Sequence, residues 1–283
     1  MDMVRIITDG TSDMSAQRAA ELNIDVIPMR VFFGAESFLD GVDITREEFF
    51  ARLASSEELP TTSQLNPDDF LELFQKYADQ GDQVVGIFLS TELSGTCQSA
   101  CIARNMVEGG EIYVVDSRTV TFALSLLVEE AVRMRDSGMS AAGIAAGVEK
   151  LAQRTKLLAM VDTLTYLKKG GRISAATAAV GGLLGIKPIV EVDSRGTVEA
   201  VGKARSIAAC LEWIAQHIKK EPADPAHLVA YGHSNSPERV PVCMEAMREV
   251  LPQDRPPVMG SIGAVIGTHV GPGAVGVAYI AAE

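Results

Sequence analysis

Two hydroxyl-rich stretches carry the side chains best suited to holding a small anion: Pro60-Thr61-Thr62-Ser63-Gln64 and Ser90-Thr91-Glu92-Leu93-Ser94-Gly95-Thr96. Hydroxyls donate hydrogen bonds without adding charge. Between them, Val84-Val85-Gly86-Ile87-Phe88-Leu89 reads as a buried strand. The second stretch therefore sits where a parallel strand gives way to a helix, the place where open α/β sheets bind ligands. A helix start offers unpaired N–H groups and the positive end of a dipole. Together the stretches read as a pocket for a carboxylate or a phosphate. Each residue also has an ordinary role. Ser94 is a good helix N-cap, and Thr62 is a turn residue ahead of the Asn66-Pro67 cap.

Two further groups could join such a pocket. His269 lies among glycines in Gly267-Thr268-His269-Val270-Gly271-Pro272-Gly273, a pattern that reads as a loop. Lys168-Lys169-Gly170-Gly171-Arg172 is a cationic helix end stopped by glycine, or an anion loop. It is not a P-loop, because Gly-x-x-x-x-Gly-Lys-Ser/Thr is absent. His217, His227 and His233 read as surface or structural. The cysteines, at 97, 101, 210 and 243, form no C-x-x-C and no metal spacing, so no metal and no disulfide framework is expected. Cys97 and Cys101 read as buried and reduced.

The elements that must position these groups alternate through the first half. Strands are expected at Val4 to Thr8, Val26 to Phe33, Val84 to Leu89 and Ile112 to Val115. Helices are expected from Ser15, from the Thr45-x-x-Glu48 capping box, from Asn66-Pro67, from Gly95, and over Thr121 to Asp136 and Ala141 to Arg154. This alternation predicts a parallel sheet covered by helices on both faces. The second half mixes a hairpin, Pro188 to Val192 with Thr197 to Val201, with a helix from Ser206 to Ile218 and strands at Leu228 to Tyr231, Val258 to Ser261 and Val275 to Ala281. The fold class is therefore α/β: an N-terminal parallel-sheet α/β domain over residues 1–155 and a C-terminal α+β domain over 156–283.

Composition narrows the partners. The chain has 283 residues, 47% of them hydrophobic and only 5% aromatic, so its core must be aliphatic. A net charge of −12 repels phosphate backbones and anionic lipid, which argues against nucleic acid. No apolar run reaches the ~20 residues of a membrane span; the weak run from Ala175 to Gly185 is short and broken by glycine. The N-terminus enters a strand pattern without a leader pattern, so a reducing cytoplasm is expected.

Read in order, several segments match a known pattern. They are Thr8-Asp9-x-Thr11-x-Asp13, Pro60 to Gln64, Leu93-Ser94-Gly95-Thr96-x-Gln98-Ser99-Ala100, Val115-Asp116-Ser117-Arg118, Tyr166 to Ile173, Gly185-Ile186-Lys187-Pro188-Ile189, and Ile266 to Gly276. In this order and spacing they resemble the DegV family of bacterial fatty-acid-binding proteins, over about residues 3–281. The resemblance implies a two-domain DegV-like fold with a long-chain fatty acid, such as palmitate, in a tunnel between the domains. It implies a carrier rather than an enzyme, with no cofactor beyond the bound fatty acid. A partner fatty acid kinase would phosphorylate the presented carboxylate and so feed lipid metabolism. Thr62, Ser94 and Gly95 would hold the carboxylate with His269 beside it, while Arg172 and Arg205 resemble positions that present the ligand to the kinase. Gly10 departs from the usual serine of the first loop, which could leave the head-group network one donor short. Cys97 stands where an aromatic residue is common.

Two other functions fit the residues. One is a binder of another apolar carboxylate. The other is a serine-dependent hydrolase using Ser94, His269 and Asp9 or Asp116. Against the hydrolase, Glu92 stands where the first glycine of Gly-x-Ser-x-Gly should be, two residues before Ser94.

Overall fold

A computed structural model describes residues 3–173 and 185–283. The apolar run expected from Ala175 lies outside the described residues, except for Gly185. The first sheet is wholly parallel. It contains β1 (Val4–Asp9), β2 (Ile24–Ile27), β6 (Gln83–Phe88) and β7 (Glu111–Asp116) in the order β2-β1-β6-β7. Alternate residues of a strand point to opposite faces. Ile6, Val85 and Ile87 thus meet α5 (Phe122–Asp136) and α6 (Ala141–Arg154). Ile7, Val84 and Phe88 meet α3 (Pro67–Asp79) and α4 (Thr96–Met106).

The expected strand from Val26 to Phe33 is two strands in different sheets. β2 stops at Ile27, before Pro28, which has no N–H for a ladder. The chain then turns away, and β3 (Arg30–Phe33) pairs antiparallel with β4 (Glu36–Leu39) and β5 (Thr61–Ser63). Thr62 is therefore a strand residue opposite Val31, not a turn residue. Gly34 and Ala35 make the tight β3–β4 link, with Gly34 at φ 60°. Behind this small sheet α2 (Arg46–Ser55) starts at the Thr45–Glu48 capping box, both halves of which form.

The second sheet runs β10-β9-β8-β13-β11-β12. Its strands are β8 (Thr155–Met160), β9 (Lys187–Val192), β10 (Val198–Ala204), β11 (Val229–His233), β12 (Val258–Ser261) and β13 (Val275–Ile280). All neighbours are antiparallel except β11 and β12, which α9 (Arg239–Met247) joins as a parallel crossover. The expected hairpin is β9–β10. α8 (Ile207–Ile218) and α9 cover one face of the sheet. The other face meets α5, whose residues from Phe122 to Val132 are buried. One continuous aliphatic cluster therefore runs from the parallel sheet through α5 to the mixed sheet.

The glycine-rich run around His269 is not a loop. Residues Ala264–Val270 form helix α10. Gly267 is tolerated there because a Cβ would come within 2.6 Å of Phe49 and 3.0 Å of Phe50, so only a bare backbone can lie on those rings. Among the described residues, no helix is long and apolar enough to cross a membrane.

Candidate functional site

The site begins at the end of β6. The Leu89 N–H donates to Asp9 Oδ2 at 2.9 Å, and Asp9 Oδ1 accepts from the N–H and hydroxyl of Thr11. Asp9 is fully buried, and burial pushes its pKa up despite these donors. It ties the ends of β1 and β6 together and is engaged entirely in that tie. Asp116 is likewise occupied, by Thr91 and by the backbone N–H of Arg118. Neither carboxylate reaches His269, so the imagined Ser-His-Asp arrangement is not assembled.

After β6 the chain loops to α4. The helix cap is Gly95, not Ser94. Ser94 precedes the cap, and its Oγ accepts from the Thr96 N–H at 3.3 Å and lies 3.0 Å from Thr96 Oγ1. The two opening stretches meet here. The Leu65 N–H donates to Thr96 Oγ1 at 3.3 Å, and Gln64 Nε2 reaches Ser99 Oγ at 3.4 Å. Gly95 makes this approach feasible, since a Cβ there would stand 2.9 Å from the Gln64 amide carbon.

Thr62 points from β5 to α10, where its Oγ1 lies 2.9 Å from His269 Nε2. Burial, with help from the Arg172 charge, pushes the His269 pKa down to about 4, so the ring is neutral at pH 7. His269 Nδ1 is buried and has no hydrogen-bond partner among the described residues. An orphaned N–H costs more than an orphaned lone pair. The proton is therefore assigned to Nε2, which donates to Thr62. That leaves the Thr62 hydroxyl hydrogen free to donate onward to an acceptor in the pocket.

Arg172 follows α7 (Thr165–Lys169) and stands exposed at the rim. Its Nη1 donates to the Gly170 carbonyl at 2.6 Å and its Nε to the Leu93 carbonyl at 3.4 Å. Among the described residues no carboxylate pairs with it. Arg205 is exposed between β10 and α8 and is not part of the pocket wall.

These groups surround one end of a cavity of about 300 Å³. Thr62, Ser63, Gln64, Ser94, Gly95, Arg172 and His269 make its polar wall. Elsewhere the wall is mostly aliphatic, with Thr121 and Phe122 beside Leu157 and Ala159 from β8, Val190 and Val192 from β9, Val198 from β10, and Val265, Ile266 and Val270 from α10. Sequence reasoning did not assign the apolar wall. The period-2 pattern of β8 and β9 shows which residues share a face, but not that this face borders a void. Gly10 is not in the wall; a Cβ there would meet the Met29 backbone nitrogen at 3.3 Å. Cys97 is buried as expected, but Cys101 is only half-buried; both are free thiols.

The arrangement fits an amphiphile with an anionic head. The sequence model for the DegV family, described as uncharacterised proteins of that family, matches residues 3–282. A DegV domain-containing protein of Caldanaerobacter subterraneus is 35% identical, over 99% of both chains. The chain belongs to the DegV family. Solved DegV structures share its fold. A DegV-family protein of Thermus thermophilus, described for its fatty acid binding, superposes with a TM-score of 0.88 at 29% identity, covering 98% of this chain and 99% of that one. A DegV lipid-binding protein of Thermotoga maritima gives 0.87 at 27% identity over 99% of both chains. The DegV architecture of a parallel-sheet domain joined to a mixed-sheet domain is thus the fold of this chain.

Proposed function

We propose that this DegV protein binds a long-chain fatty acid and carries it without transforming it. The observation that carries the reading is the division of the cavity, with neutral donors and one arginine at one end and mostly aliphatic side chains elsewhere. The fatty acid binding in the Thermus relative's description and the lipid binding in the Thermotoga relative's point the same way. In this reading Thr62 and Ser94 donate to the carboxylate, the Gly95 backbone lies beside it, and His269 supports Thr62 from behind. A buried carboxylate is costly unless hydrogen-bonded, and each bond to it contributes roughly 1.5–3 kcal/mol. The tail adds ~0.8 kcal/mol per buried methylene, on the order of 10 kcal/mol gross for a palmitate-sized chain before ordering costs. Slow release into water follows, and with it a need for hand-over by contact. A fatty acid kinase then receives the presented carboxylate and converts it to an acyl phosphate, with Arg172 at the rim and Arg205 outside it offered for docking.

Lipid extracted from the purified protein and identified by mass spectrometry tests this. A stoichiometric long-chain fatty acid, depleted in Thr62→Ala and Ser94→Ala, is expected. Recovery of another apolar acid would redirect the reading, and no lipid with no uptake of added fatty acid would end it. The bonding of His269 to Thr62 rather than to Ser94 favours a carrier over a serine hydrolase.

A further inference from the structure

The side chains of α7 and α10 meet at two glycines. Gly170, which caps α7, has ordinary helical backbone angles, yet a Cβ on it would fall well inside contact with His269 Nδ1 and 3.1 Å from Cε1. Gly271, which ends α10, has φ 71°, and a Cβ on it would fall inside the Tyr166 ring, 2.8 Å from Cγ. Each short helix thus presents a bare backbone to the ring carried by the other. His269 sits on Gly170, and Tyr166 sits on Gly271.

We propose that Gly170, Gly271 and Tyr166 are positioning residues of the head-group site, a reciprocal seat that fixes the His269 ring against Thr62 and Arg172 at the rim of the same pocket. The proposal rests on the carboxylate reading above. It follows from the geometry of the imidazole. The ring has Thr62 on its Nε2 edge at 2.9 Å and the Gly170 backbone on its Nδ1 edge. An atom added at Gly170 would overlap the ring where it stands, so the ring must shift and its bond to Thr62 must change. Arg172 is tied to the same seat because its Nη1 bonds the Gly170 carbonyl. Tyr166 holds the other side; removing its ring frees α7 to slide against α10.

Gly170→Ala separates this role from mere folding. Position 170 has no left-handed strain, and alanine favours helical backbone, which offsets part of the cost of displacing the ring, so a folded variant is expected. The readout is the NMR titration of the His269 ring. Wild type should titrate near 4. The alanine variant should titrate closer to the ordinary histidine range of about 6.5, with fatty-acid retention falling roughly tenfold or more, the loss of one charge-assisted bond. Tyr166→Leu adds no atom at either glycine and should move the same midpoint in the same direction; it decides the matter if the alanine variant misfolds. An unchanged His269 midpoint in a folded variant overturns the seat. Thr62→Ala run alongside separates the two readings. If it leaves retention intact, the carboxylate reading fails; if it weakens retention while the His269 midpoint ignores both seat variants, only the seat fails.

Discussion

At the scale of single residues, the proposed site offers neutral donors held by structure. His269 donates to Thr62, and Thr62 is left free to donate to a ligand. Thr62→Val keeps the side-chain volume and removes both bonds, so fatty-acid affinity should fall by roughly tenfold to a hundredfold in a displacement titration. The histidine also predicts a ligand-linked proton. Its pKa is lowered to about 4 in the folded protein, so its contribution to stability is present above the ordinary value of ~6.5 and is lost as pH falls toward 4. A carboxylate bound beside Thr62 favours the imidazolium form. The NMR midpoint of His269 should therefore rise when fatty acid is added, and an unmoved midpoint would place the head group elsewhere.

At the scale of elements, α10 is held at its start as well as its end. Asp13, in the left-handed region at φ 57°, accepts from the Gly263 N–H at 2.8 Å and from the Thr121 hydroxyl. Asp40 accepts from the Val265 N–H at 2.9 Å. Two carboxylates from the first half of the chain thus cap the helix that carries His269. Burial, with Asp40 nearby, raises the Asp13 pKa to about 7, while the Thr121 and Gly263 bonds and the Arg46 charge pull against that rise. A raised carboxyl contributes stability that is fully present below ~3.8 and is lost as pH rises through 7. Asp13→Asn mimics the protonated form. The variant should gain stability relative to wild type as pH goes from 4.5 to 8, by on the order of 4 kcal/mol at most. Paired thermal melts at the two pH values check the sign.

At the scale of the whole molecule, the cavity lies between the mixed sheet on one side and α10, β5 and the loops that follow β6 and β7 on the other. Neither side alone encloses it. Ala159 lies on the face of β8 that borders the void. Ala159→Phe should therefore fill empty space rather than overpack the core. Fatty-acid uptake should drop by about tenfold or more, as several methylenes lose their room at ~0.8 kcal/mol each, while the thermal midpoint and the His269 titration of the free protein stay as they are. Added fatty acid should raise the melting temperature of wild type by mass action and fail to raise that of the filled variant.

Much was legible in the sequence because it is local. The Thr45–Glu48 box, the Asn66-Pro67 start, the β9–β10 hairpin and the alternation that makes the parallel sheet are set by residues a few positions apart. The hydroxyls at 62 and 94 were legible as candidate donors in the same way, and both line the cavity. Tertiary structure alone decided the rest. The run around His269 reads as loop by its glycines, yet forms a helix because Phe49 and Phe50, more than 200 residues earlier, cover Gly267. Val26 to Phe33 reads as one strand, and splits because separate sheets claim its halves. The neutral state of His269, the place of Arg172 at the rim and the mostly aliphatic void exist only once α7, α10 and the sheets are packed, since burial and distance belong to the fold and not to the order of residues.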